Sequence, residues 1–301
     1  MQGLALLPYT KPHVRTCSNH MTMKAIFFAA AVVCAVAVSA QELPQASPLG
    51  EVEQLVGLTK VEVEYSRPSA KGRVIFGDLV PYDKLWRTGA NLNTTIEFSE
   101  PVKFGDVDVK PGKYSLFTVP GKETCVVHLN SNVELWGEDE FKAEQNVASV
   151  KVKPLTCEHT ETLTIDLGNY QNDNADLEIR WEKTRVVIPI VTDATEKAIA
   201  NIKEAMAKGD MKAGGYGSSA RFCLDRNVMT KEALEWAEKC VSMDKKFWHM
   251  HTLARAQAAN GMTKKAIATA EESMKMAQEA KNEAYVKMNR ELIASAMKGG
   301  N

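Results

Sequence analysis

"RVVIPIVTDATEKAIANIKEAM", Arg185 to Met206, changes its hydrophobic period part-way along. Up to Val191 it is a β-branched apolar run of strand length. From Ile199 the apolar residues recur at helical spacing, with Ile202 and Met206 on the same face. Asp193 stands where it can cap a helix with Glu196 three residues on, and Lys208-Gly209 stands where that helix should stop. The period switch near residue 191 therefore divides the chain into strands before it and helices after it.

Upstream, short alternating runs are separated by turn residues: "KVEVEY", "NTTIEFS", "PVKFG", "VDVK", "KYSLFTV", "TCVVHLN", "SVKVK", "ETLTIDL", "ADLEIRW" and "RVVIPI". Period-2 alternation with β-branched enrichment predicts an antiparallel β-sandwich or barrel, and the sandwich is our assignment. Lys110-Pro111-Gly112-Lys113 has Pro where φ is preset and Gly where φ is positive, as a type II turn requires. With Gly105-Asp106 and Pro120-Gly121 it predicts a meander over 101–130. The fold class is α+β in two domains, a sandwich over 41–190 and a helical-repeat domain over 191–301.

Residues 1–40 are expected to lie outside the fold. Met23 and Lys24 open the apolar run "AIFFAAAVVCAVA", which closes with "VSA" before Gln41. A short charged start, apolar centre and small-residue exit make a secretory signal, with cleavage expected after Ala40. The run is shorter than the roughly 20 residues of a spanning helix, so membrane contact is expected only through the signal before cleavage. Met21 or Met23 is the expected start, since a longer leader would bury the signal. The exported protein would be periplasmic or extracellular. Losing Lys11, Arg15 and Lys24 leaves 34 basic against 38 acidic residues, net −4, which gives no support for nucleic-acid binding.

Four cysteines remain: Cys125, Cys157, Cys223 and Cys240. An oxidising compartment permits pairing. Cys223 and Cys240 should lie on two helices joined near Val228 and Met229, offset by about 9 Å along the axis, too far for a disulfide. The sequence leaves the pairing of Cys125 with Cys157 open.

Within the helical half, "MTKEALEWAEKCVSM" from Met229 and "MTKKAIATAEESMKM" from Met262 repeat at an offset of 33 residues. Ala233 matches Ala266 and Ala237 matches Ala270, the pattern of stacked helical hairpins. With Leu253 and Ala254 in the intervening helix, residues 214–297 resemble tetratricopeptide repeats. They depart from the pattern in Arg221, at a usually small position, and in having no Pro to end a hairpin. The resemblance implies a short solenoid of about three hairpins. It also implies a concave side on which Asp225, His251 and Arg255 would meet a protein partner.

The longest stretch without regular periodicity runs from "YSRPSAKGRVIFG" into "DLVPYDKLWRTGAN", residues 65–91. Ser66 to Thr88 holds Arg67, Lys71, Arg73, Lys84 and Arg87 against Asp78 and Asp83, a local excess of three positive charges. Two uses of these cations stand side by side. Guanidinium forks could brace the loop against carbonyls and carboxylates, with Trp86 and Phe76 in the core. Alternatively, Arg67, Arg73 and Arg87 could hold an anionic carbohydrate or peptide, with Trp86 as a stacking platform and the Asn91 amide orienting it.

"YSRPSAKGR", "IFGDLVPY", "WRTGAN" with "TTI" following, and "GKYSLFTVPG" resemble an exported family known as domain of unknown function 2911, over residues 48–190. The resemblance implies export and brings no activity to transfer. That pattern commonly places an acidic residue after the Asn at position 91. Leu92 stands there instead, so a site built on that carboxylate is not expected to carry over.

Enzyme signatures are missing from the chain: there is no HExxH, GxSxG, Walker-type or paired CxxC motif. Cys125 and His128 fall on opposite faces of one strand, and His249 and His251 about 200° apart on one helix, so neither pair shares a metal. Cys157 with His159 lacks further ligands. "AGGYGSSAR", 213–221, has no preceding strand and is assigned as a helix-to-helix linker with Gly at close packing. "NDNAD", 172–176, lacks the Gly and distal Glu of a calcium loop and is assigned as a hairpin turn. We expect no cofactor, no metal and no catalytic residue, and a binding or scaffolding role in the cell envelope. The rival is an envelope hydrolase acting on an anionic polymer, with Asp78, Asp83 or His128 as its acid or base.

Overall fold

The structure, a computed structural model, describes residues 43–299. The expected signal and its cleavage point lie outside the described residues. Ten strands form two antiparallel sheets. In the larger sheet the order is β1 (Leu49–Val56), β2 (Thr59–Ser66), β3 (Thr94–Phe98), β6 (Gly112–Val119), β7 (Cys125–Asn130) and β8 (Asn146–Val152). In the smaller it is β5 (Val107–Val109), β4 (Val102–Phe104), β10 (Asn174–Val191) and β9 (Leu155–Gln171). Alternate residues such as Val61, Val63, Ile96 and Leu129 from one sheet, and Ile165, Leu177, Ile179 and Ile188 from the other, fill one shared core. Facing sheets bury one side each, which is why the strands alternate.

Three details depart from expectation. β1 pairs along its whole length with β2 through the Gly57-Leu58 turn, although its polar outer face hid it from the strand pattern. "ADLEIRW" and "RVVIPI" belong to one long strand, β10, whose register against β9 shifts around Glu182, a residue with φ +53°. The meander of 101–130 is broken at its centre. β4 and β5 pair in the smaller sheet while β6 and β7 pair in the larger, so the chain crosses between sheets at Pro111-Gly112. Gly112 does take positive φ, +146°.

Six helices follow: α1 (Thr195–Ala207), α2 (Ala213–Asp225), α3 (Thr230–Met243), α4 (Phe247–Ala259), α5 (Thr263–Glu279) and α6 (Glu283–Gly299). Asp193 assists α1 from two residues outside, its Oδ1 accepting from Thr195 N at 2.9 Å, and this bond holds its carboxyl below the usual range. Ala233, Ala237, Ala266 and Ala270, the matched small residues of the repeat, are all buried where helices meet. The glycines of 213–221 lie inside α2 and not in a linker. Gly217 faces α3 and α4 so closely that a Cβ there would sit 3.0 Å from Cys240 Sγ. Close packing was the correct part of that expectation.

The 172–176 segment is the β9–β10 turn, and it joins the two halves. Arg226 Nη2, just past α2, donates to both Asp173 oxygens at 2.7 and 2.6 Å, and Asp173 Oδ2 also accepts from Ala194 N. Sheets and helices belong to one compact unit beginning at Ala46. No helix among the described residues is long and apolar enough to cross a membrane. Cys125, Cys157, Cys223 and Cys240 are all free thiols.

Candidate functional site

The β2–β3 connection, 67–93, lies against the sandwich as a pinned loop. Ala70 N donates to Glu161 O at 2.7 Å and Leu163 N to Pro68 O at 2.9 Å, tying its first part to β9. Trp86 N and O exchange bonds with Thr118 of β6 at 2.8 and 2.9 Å, tying its last part to the larger sheet. A long loop without internal ladders must find such partners for its backbone. Thr88, fully buried, sits at φ +56°, an unfavourable region for a β-branched residue. Its Oγ1 bonds to Thr118 Oγ1 and its carbonyl accepts from Thr94 Oγ1, and these contacts hold the strained backbone in place.

Between this loop and the loop after β7 lies a cleft of about 510 Å3. Arg73, Trp86, Arg87, Asn91, Glu138 and Trp181 line it, together with apolar loop residues such as Leu79 and Leu85. The sequence reading named the first four of these. It missed Glu138 and Trp181, and its fifth residue, Arg67, is not on the cleft.

Each cation has a distinct environment. Arg87 is clamped: its backbone N and Nε donate to Glu138 Oε1 at 3.0 and 3.2 Å, Nη2 to Oε2 at 3.2 Å, and Nη1 to Asn91 O at 2.7 Å. Gly137 lets the two loops approach this closely, since a Cβ there would lie 3.3 Å from Arg87 Nη2. Arg67 turns toward β9, donating to Leu163 O and Thr164 Oγ1. Arg73 donates Nε to Ala70 O and Nη2 to Ser69 O, two neutral carbonyls, and has no carboxylate within ion-pair distance. It is exposed and lines the cleft, and its charge is felt by the Glu161 carboxyl, whose pKa it helps to lower after the Lys71 N and His159 bonds. Trp86 is fixed by stacking on Trp181, centroids 5.7 Å apart, and by Nε1 donating to Gly89 O. The Asn91 amide points inward, donating to Ser47 O and Ser66 Oγ. Its expected role of orienting a ligand through that amide is taken up by these bonds.

Residues 47–190 match the family model described as a protein of unknown function, DUF2911. No curated protein and no solved structure matches the chain. The matched stretch comprises the sandwich and the loop that forms the cleft. Leu92 is exposed, and the carboxylate that pairs with Arg87 is Glu138, far along the sequence.

The groups considered for catalysis lie elsewhere. Asp78 and Asp83 are exposed and off the cleft. His128, on β7, bonds through Nδ1 to Ser149 Oγ at 2.8 Å, and burial pushes its pKa down. Glu138 has both oxygens engaged by Arg87 and is held as a counter-ion. Burial pushes the Cys125 thiol up to about 12, which leaves it a poor nucleophile. Glu51, Glu53 and Glu62 form an acidic group on the outer face of β1 and β2, and the Lys60 ammonium sits between Glu53 and Glu62 at 2.8 and 2.9 Å.

On the helices, Asp225 and Arg255 pair with each other across α2 and α4 at 2.6 Å. His251 corrects the expectation of an exposed groove residue. It is 6% exposed, with Nδ1 2.8 Å from Asn289 Oδ1 on α6, while Asn289 Nδ2 donates to Ser273 Oγ on α5. Packing α4 beneath α6 closes over the position that the repeat analogy left open. Burial lowers the pKa of His251.

Proposed function

We propose that this chain is an exported cell-envelope binding protein whose DUF2911 domain holds an anionic carbohydrate or peptide in the cleft beside Trp86. The observation that carries this reading is Arg73, an exposed guanidinium on the cleft wall whose hydrogen bonds go to backbone carbonyls and which makes no ion pair among the described residues. A fixed cation beside a rigid aromatic wall suits a carboxylate or sulfate attached to a ring. Arg87 supports the site from behind through Glu138, and Arg67 braces the loop. The hydrolase reading is the weaker one, because the cleft's one lining carboxylate, Glu138, is committed to Arg87 and not free to move a proton.

Screening the chain from Gln41 against acidic glycans and peptides, with Arg73→Gln in parallel, tests this reading. Binding that falls about tenfold on loss of the one charge supports it. Equal binding by both proteins would refute it.

Export through the leader at residues 23–40, with periplasmic or extracellular residence, is part of the same proposal. We read the helical half as tetratricopeptide-like hairpins that present the Asp225–Arg255 pair to a protein partner. The buried alanines at a 33-residue offset support this. A partner that co-purifies with the wild type and is retained by Arg255→Glu argues against that surface.

A further inference from the structure

Trp86 borders a second, smaller pocket distinct from the cleft. Phe76, Tyr82, Trp86, Ile179 and Val186 form its apolar wall, and its volume is about 140 Å3. Benzene fits a cavity of about 150 Å3, so this space has room for one six-membered ring. Three of the five wall residues are aromatic, which favours an aromatic guest over an aliphatic one of equal area through edge and offset contacts.

The rim has a different chemistry. Lys122 and Lys183 both line the pocket, and neither has an ion-pair partner among the described residues. Lys122 leans over the Tyr82 ring at 5.7 Å, and Lys183 is exposed. Thr156 and Thr184, opposite each other on β9 and β10, add two hydroxyls to the same rim. Asp83 Oδ1 comes beside Gly121 there and pairs with neither lysine. Cys125, buried and with its thiol pKa pushed up by burial, also lines the pocket, and no carboxylate residue does.

We propose that this pocket binds a small aromatic carboxylate, its ring against Phe76, Tyr82 and Trp86 and its carboxylate between Lys122 and Lys183. A pocket with three aromatic side chains and two lysines that make no ion pair among the described residues matches a guest with an aromatic body and an anionic head. A neutral ring leaves the lysines without a partner, and an aliphatic acid forfeits the aromatic contacts.

The test is calorimetric titration of the protein with benzoate, benzyl alcohol and hexanoate, with the Trp86 indole NMR signal reporting position. Benzoate should bind with a Kd of about 1 mM, the scale set by a ligand this small. Benzyl alcohol and hexanoate should each be several-fold weaker. Lys122→Gln with Lys183→Gln, both surface changes, should weaken benzoate about tenfold and leave benzyl alcohol unchanged. Absence of saturable benzoate binding, or equal affinity in the double variant, overturns the proposal. So does loss of benzoate binding in Arg73→Gln with the lysine variant unaffected, which would move the ligand to the cleft.

Discussion

Removing the Glu138 carboxylate tests whether Arg87 is a brace, and the size of the effect can be worked out. Glu138 accepts three hydrogen bonds from Arg87, at 3.0, 3.2 and 3.2 Å. The Arg87 and Glu138 side chains are 25% and 31% exposed. A fully buried pair that loses one partner costs about 3–5 kcal/mol, whereas an exposed pair is worth about 0–1 kcal/mol. Partial exposure with a bidentate fork and a backbone bond puts Glu138→Ala between these limits, at about 2 kcal/mol. Urea unfolding followed by tryptophan fluorescence reads this directly, because Trp86 and Trp181 stack beside the pair. Arg87→Ala and the double variant complete a cycle, and the coupling should be about 1–2 kcal/mol. A Glu138→Ala protein within about 0.5 kcal/mol of wild type, with no coupling to Arg87, would show that the clamp does not hold the loop. Arg87 would then be as available to a ligand as Arg73.

Other expectations follow from the same contacts. Trp181→Ala removes a side chain only 2% exposed that stacks on Trp86, and should cost about 3–5 kcal/mol in chemical denaturation. Two glycines of α2 should respond with opposite signs in thermal melts. Gly214→Ala meets open space and should stabilise by about 0.5–1 kcal/mol, whereas Gly217→Ala drives a methyl against Cys240 and should destabilise by about 1 kcal/mol. Asp173→Asn should weaken the junction with the helices by about 1–2 kcal/mol, seen as faster proteolysis between Val191 and Thr195. For His251 the folded pKa lies below the unfolded one, so the unfolded chain takes up the proton first. Its contribution is therefore present above about pH 6.5 and is lost as pH falls toward the lowered folded value. Helical circular dichroism melts should show this acid loss, and His251→Gln should flatten it.

Much of the candidate site was legible in the residues of one loop. Arg73, Trp86, Arg87 and Asn91 do gather on one cleft. What could not be read was how each cation would be satisfied. Glu138 lies five strands further along the chain than Arg87, and its only advance sign was the acidic run "GEDE" after Trp136. Trp181 looked like an ordinary inward strand residue, because the stacking that joins it to Trp86 depends on the smaller sheet facing the loop.

From the sequence by itself came the division near residue 191, the alternating strands and the helical repeat, because each rests on a local hydrophobic period that any burying partner would satisfy. The crossing between sheets at Pro111-Gly112, the Glu138 clamp and the burial of His251 were decided by tertiary structure alone. Each depends on which distant surface arrives opposite a given side chain. A local period specifies which face is buried, and it contains no information about what that face, or the polar group beside it, will meet.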